Sequence, residues 1–159
     1  MSEFTHIDEY GHVRMVDVTE KPETVRTAVA QSLICMKPET FEKIYNQDIK
    51  KGNVLETARI AGIMAAKKTA EFIPLCHPLF ITHIKIDFFP NKQASSITIK
   101  AFVRLNGKTG VEMEALTAAS VAGLTIYDMC KSYDRGMTIS DIYLLEKSGG
   151  KSGAFFRHA

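Results

Sequence analysis

Two alternating segments joined by a short turn constrain this chain most. "FITHIKIDFF" (Phe80–Phe89) sets Phe80, Ile84, Ile86 and Phe88 against Ile81, His83, Lys85 and Asp87. "SITIKAFVRL" (Ser96–Leu105) alternates in the same way, and "PNKQA" between them has the composition of a turn. Successive side chains of a strand point to opposite faces, so a period of two means a half-buried strand. The pair reads as an antiparallel hairpin.

The flanking segments supply elements to pack with it. Asn53 followed by Glu56 has the spacing of a capping box and opens a helix to about Phe72, where Pro74 stops it. Its Ala58, Ala61, Gly62, Ala65 and Ala66 are small enough for close approach of a neighbour. A second long helix is expected over about Glu112–Asp134, broken by Gly136, and "PETFEKIYNQ" is a short helix with Pro38 in its first turn. Arg26–Met36 ("RTAVAQSLICM") is ambiguous. Its composition allows a helix, yet Val29, Leu33 and Cys35 alternate with Ala28, Ser32 and Ile34. Lys37, preceding a proline, marks its end. Met137–Leu145 reads as a last strand. With Arg26–Met36 as a strand, the order is βαββαβ. That order predicts an α+β fold: a ferredoxin-like sandwich, a four-stranded antiparallel sheet with helices on one face. Residues 1–159 make a single domain, with 1–22 and the Gly/Ser/Lys-rich 147–159 expected as mobile arms that contribute to the site.

Composition narrows the function classes. The chain of 159 residues is 45% hydrophobic and 24% charged, as a soluble single-core protein would be. No apolar run reaches the ~18–20 residues needed to span a bilayer. The first thirty residues mix acids with bases, so they do not read as a signal peptide. A net charge of +2 without a block of like charge argues against a nucleic-acid binder, while leaving room for local cationic pockets. Cys35, Cys76 and Cys130 are odd in number and have no paired spacing, which favours a reducing cytoplasm over a disulfide framework. No CxxC or HxxxH spacing occurs, so no metal is expected.

Several stretches carry possible chemistry. "IPLCHPL" (Ile73–Leu79) holds Cys76 and His77 between two prolines at a helix-to-strand junction. Neighbouring side chains in extended backbone diverge, so the two make no nucleophile–base pair. His77 stands on a stiff turn, aimed either at a core partner or at a pocket. "NGKTG" (Asn106–Gly110) lacks the earlier glycine of a P-loop, because Phe102 occupies that place. Glu112 and Glu114 open a helix, where carboxylates favour the dipole by ~0.3–1 kcal/mol. Glu114, Ala118, Val121, Thr125 and Asp128 then share one stripe. Asp128 and Lys131 are three apart: an ordinary surface ion pair, or, if partly buried in "LTAASVAGLTIYDMCK", a pair with a lysine shifted toward neutral. Glu114 and Asp128 are 14 residues apart, ~21 Å along a helix. If both touch one small ligand, the site combines residues of two subunits. Lys51, Lys108, Lys147 and Lys151 each look like surface lysines, and together are able to clamp a polyphosphate.

"IPLCHPL", "GKTGVEMEALTAASVAGLTIYDMCK", "LLEKSGGKSG" and the "MVDV" of Met15–Val18 closely resemble the cyclic pyranopterin monophosphate synthase family, molybdenum cofactor biosynthesis protein C. The similarity runs from about Thr5 to Gly153. The resemblance implies the ferredoxin-like fold and a homohexamer, a trimer of dimers with sites at the dimer interface. It implies a lyase of molybdenum cofactor biosynthesis working by acid/base catalysis without a redox cofactor. Its substrate would be (8S)-3′,8-cyclo-7,8-dihydroguanosine 5′-triphosphate, supplied by a radical S-adenosylmethionine enzyme. The products would be cyclic pyranopterin monophosphate and pyrophosphate. Carried over position by position, the resemblance implies catalytic Asp128, Lys131 and Lys51. It implies substrate binding by Leu75, Cys76, His77, Glu112, Met113, Glu114, Lys147, Arg26 and Asp17. The departures, in "NKQA" and after Gly153, lie outside these motifs.

Two other readings use the same residues. A non-catalytic ferredoxin-like nucleotide-sensing or interaction domain would keep Asp128 and Lys131 as a plain ion pair. A single-strand RNA binder would need exposed aromatics on central strands, whereas Phe80, Phe88 and Phe89 read as core or strand ends. Neither nucleic acid nor membrane is expected as a partner.

Overall fold

The computed structural model describes residues 6–158, so positions 1–5 of the N-terminal arm and position 159 lie outside the described residues. The expected hairpin is present. Strand β2 (His83–Asn91) pairs antiparallel with β3 (Ser96–Gly107), from His83 opposite Arg104 to Asn91 opposite Ser96. β2 starts later than the alternation suggested: Phe80 lies before it and is 97% exposed. Phe80 is therefore neither core nor strand.

The ambiguous segment is strand β1 (Thr24–Cys35) at the middle of the sheet, antiparallel to β3 on one side and to β4 (Thr138–Ser148) on the other. Two ladders give its backbone groups partners on both edges, and that outweighs the weak strand preference of its alanines. Its buried Ala28, Ala30 and Ser32 leave room for helix α4 (Glu112–Cys130), and the Ser32 hydroxyl donates to the Ala119 carbonyl at 2.8 Å. Ile86 of β2 and Ile97, Ile99, Ala101, Val103 and Leu105 of β3 are buried in the same core.

Two shorter helices follow β1: α1 (Pro38–Tyr45) and α2 (Val54–Lys67). Asn53 caps α2 as expected, its side chain accepting from the Glu56 N–H at 3.1 Å. The small-residue stripe does bring α2 against α4. A Cβ on Gly62 would lie 2.9 Å from the Ala118 carbonyl oxygen, so only glycine fits there. The expected single helix to Phe72 is broken at Lys68, and α3 (Thr69–Phe72) follows. The buried Thr69 hydroxyl bonds back to the Ala65 and Ala66 carbonyls, competing with the regular ladder.

The sheet has five strands rather than four, in the order β2-β3-β1-β4-β5. The fifth, β5 (Phe155–Phe156), pairs with Glu146 and Lys147 of β4. Arg157 secures it, donating from its backbone to Leu145 and from Nε to Leu144, with the guanidinium over the Tyr143 ring. A two-residue strand has no period to read, which is why composition alone reported only a loose tail. Among the described residues no helix is long and apolar enough to cross a membrane.

Candidate active site

Where β1 begins, β4 ends and the loop before α4 turns, the chain encloses a cavity of about 640 Å³. That size suits a nucleotide-scale ligand. Lys21, Arg26, Lys108, Lys147 and Lys151 line it against a single carboxylate, Glu112, an excess of four positive charges. Lys147 Nζ lies 2.8 Å from Glu112 Oε1 and 3.1 Å from the Ser152 hydroxyl. A Cβ on Gly110 would fall 1.9 Å from Glu112 Oε2, so this glycine makes room for the carboxylate.

Arg26 is held from its strand. Its Nε donates to the Gly107 carbonyl at 3.3 Å and its Nη2 to the Lys108 carbonyl at 3.2 Å. The tail turn passes directly over it. Gly149 and Gly150 have φ of +96° and +77°, and added Cβ atoms would lie 2.2 Å from the Val25 carbonyl oxygen and 1.6 Å from Arg26 Nη1. No other residue permits both the left-handed backbone and the approach.

The N-terminal arm forms another wall through Val16 and Val18. His77 meets it: Nε2 is 2.9 Å from the Val16 carbonyl oxygen. A carbonyl only accepts, so Nε2 carries the proton in this contact. Cys76, next in the chain, does not line the cavity while His77 does, which is the divergence expected of neighbours. Asp17 folds onto its own arm, accepting from the Thr19 N–H at 2.9 Å and the Thr19 hydroxyl at 2.6 Å. Those bonds, with the nearby Arg14 and Lys108 charges, hold its carboxyl below the ordinary value.

Leu75, Met113 and Glu114 likewise stand outside the cavity wall. Glu114 is 4% exposed, and burial, reinforced by the Glu112 charge, pushes its carboxyl up to about 7. Burial and the Glu114 charge raise the Cys76 thiol, which leaves it a poor nucleophile.

Lys51, Asp128 and Lys131 gather at the far end of α4. Lys131 Nζ is 2.7 Å from Asp128 Oδ1, and Lys51 Nζ donates to the Asp128 carbonyl at 3.2 Å. The pair is not buried: Lys131 and Asp128 are 52% and 63% exposed. Their mutual bond lowers the Asp128 pKa, with Lys51 adding to it, and raises that of Lys131. Of the two readings open to this pair, the structure shows the ordinary surface ion pair and not a lysine shifted toward neutral. Burial would have moved it down, and an exposed carboxylate partner moves it up. Glu112 and Asp128 are 16 residues apart on one helix, ~24 Å.

The structure thus brings Arg26, His77, Glu112 and Lys147 together and leaves Asp128, Lys131 and Lys51 apart from them. Lys21 and the Gly149–Gly150 turn were missed by sequence reasoning. Two adjacent glycines were the available signal, and they read equally well as a linker. The Thr24 hydroxyl, on the same wall, is the one buried side-chain oxygen without a partner among the described residues. Among them, too, no three His, Cys, Asp or Glu side chains converge as a metal set.

An open antiparallel sheet, a helix layer and a cation-lined cavity between the N-terminal arm and the C-terminal tail define a small α+β protein with a positively charged pocket. The chain belongs to the MoaC family, whose model matches residues 15–150. It is 61% identical over 155 residues to cyclic pyranopterin monophosphate synthase of Desulforapulum autotrophicum, covering 98% of this chain and 95% of that one. It is also 61% identical to the synthase of Desulfatibacillum aliphaticivorans and 57% identical to that of a Roseiflexus species, each over 98% of both chains.

Proposed function

We propose that this protein converts (8S)-3′,8-cyclo-7,8-dihydroguanosine 5′-triphosphate to cyclic pyranopterin monophosphate and pyrophosphate, in molybdenum cofactor biosynthesis. The observation that carries this reading is the cavity's excess of four positive charges. A triphosphate brings about four negative charges near neutral pH. Cations placed around it also stabilise a departing pyrophosphate. Lys21, Arg26, Lys147 and Lys151 take the phosphates, while His77 and Glu112 take the base and ribose. The substrate's 3′,8 carbon–carbon bond is what a radical S-adenosylmethionine enzyme would supply.

Ring opening, pterin closure and cyclic phosphate formation all move protons, and Asp128, Lys131 and Lys51 are the groups assigned to them. They stand too far along α4 to reach the same substrate from one subunit. A second copy supports completion of the site. Residues 114 and 128 are equally distant from Val121 on α4. Two α4 helices packed antiparallel about that point would bring Asp128 of the partner subunit toward the first turn of α4. Exposed Ile60, Met64 and Leu124 offer apolar surface on the same helix layer for such a contact. Three such dimers would make the hexamer, through the open sheet face with its half-buried Val29, Leu33 and Phe102. The strand order β2-β3-β1-β4 and its connections support a ferredoxin-like core with β5 added at one edge. The free cysteines suit a cytoplasmic setting.

The test is turnover of the cyclised triphosphate, followed through pyrophosphate and pterin. Wild type is expected to turn over, and Lys131→Ala and Asp128→Ala to bind without reacting. Mixing Lys131→Ala with Lys147→Ala subunits is expected to restore part of the activity, because hybrid dimers contain one intact site. A wild type that binds and never turns over would replace this reading by a nucleotide-sensing domain, for which the exposed Asp128–Lys131 pair is only an ion pair.

A further inference from the structure

One cationic side chain of the cavity does its visible work on the arm. Lys108 Nζ donates to the Thr19 carbonyl at 2.7 Å. The lysine's own backbone is immobilised, because Arg26 binds the carbonyls of Gly107 and Lys108. The reach to Thr19 therefore starts from a point tied to the central strand. At the other end of the same arm segment, His77 holds the Val16 carbonyl at 2.9 Å. Between the two holds, Asp17 is turned back on Thr19, and the Lys108 charge acts on its carboxylate. Val16 and Val18, which these two holds bracket, line the cavity.

We propose that Lys108 is a positioning residue that couples closure of the arm to the substrate's phosphates. An ammonium has three N–H donors. One is spent on Thr19, which leaves two on a side chain that lines the cavity beside Lys21 and Lys147. Lys108 thus bridges the arm's carbonyl and a phosphate oxygen, so that a bound polyanion draws the arm shut and the shut arm excludes water from it. The bridging half rests on the reading that the cavity takes a triphosphate. The arm-holding half stands on geometry alone.

Hydrogen exchange of residues 16–21 in the full chain tests both halves, with inorganic pyrophosphate as the probe. In ligand-free protein, Lys108→Ala is expected to exchange about tenfold faster than wild type at the Thr19 amide, through easier local opening. Saturating pyrophosphate is expected to slow exchange in wild type and leave Lys108→Ala unchanged. In turnover, Lys108→Ala should raise KM about tenfold with kcat altered much less, and Lys108→Arg should recover most of the loss. Equal arm exchange in ligand-free wild type and Lys108→Ala overturns the proposal, whatever the activity. So does a loss confined to kcat. If wild type binds no pyrophosphate, the phosphate reading of the cavity fails, and the ligand-free comparison still decides whether Lys108 holds the arm.

Discussion

Lys147 Nζ and Glu112 Oε1 are 2.8 Å apart, tying the end of β4 to the first turn of α4 at the cavity wall. Both side chains are about three-quarters buried, at 25% and 28% exposure. The carboxylate supplies part of the negative charge that the cavity's cations call for.

That pairing predicts opposite effects from its two members. Glu112→Gln removes a competing charge close to the phosphates, worth about 1 kcal/mol at ~4 Å where water fills the cavity and the dielectric is near 80. Pyrophosphate should bind about fivefold tighter to this variant, even though turnover falls. Lys147→Ala should bind it at least about tenfold more weakly. Titration calorimetry at low salt measures both, and the difference should shrink as salt screens the charges. Equal affinities in the two variants would remove the pair from the phosphate site.

Glu114 predicts a pH dependence of stability. Its carboxyl is raised by burial to about 7 from an ordinary value of 4.5. Between those values the folded chain keeps a proton that the unfolded chain has lost. Stability therefore falls as pH rises through this window, and the full penalty, at most about 3 kcal/mol, is present above it. Glu114→Gln should match wild type near pH 4.5 and unfold at higher urea than wild type at pH 8. Parallel behaviour of the two proteins across that range would show that the carboxyl ionises freely.

Asp134 predicts a loss in the opposite direction. Helix α1 has no cap from its own N-cap residue, Lys37. The buried Asp134 carboxylate instead accepts from the Lys37 N–H at 2.8 Å and from the Gly136 N–H at 3.0 Å. The bond from Lys37 is the main reason its pKa is lowered. Its contribution is present above the ordinary aspartate value of 3.8 and is lost as pH falls through the lowered one. Asp134→Ala should cost about 2–3 kcal/mol at neutral pH, the loss of a charge-assisted bond. Urea denaturation checks this, and an unchanged midpoint would mean that water replaces the carboxylate.

Local signals in the sequence determined a good deal. The β2–β3 hairpin follows from a period of two, the start of α2 from Asn53 and Glu56, and the close approach of some neighbour to α2 from a run of small residues. These depend on neighbours a few positions apart, which the chain itself specifies. The 14-residue interval from Glu114 to Asp128 already set the two ends of α4 apart, because helical rise is constant. The resemblance marked four of the residues that line the cavity, Arg26, His77, Glu112 and Lys147, without showing that they share it.

Tertiary structure decided the rest. Arg26–Met36 became a strand because β3 and β4 flank it, a choice its alanines do not make alone. Phe155–Phe156 became a fifth strand because β4 has a free edge beside it. Asp134 caps a helix 97 residues away in sequence, and Gly150 is needed because Arg26 lies under it. Contacts of that span arise only when the sheet closes, since they join segments whose own sequences do not encode one another. The cavity is such a contact throughout: arm, central strand, Gly loop and tail each contribute charge, and only the assembled sheet places those charges around one volume.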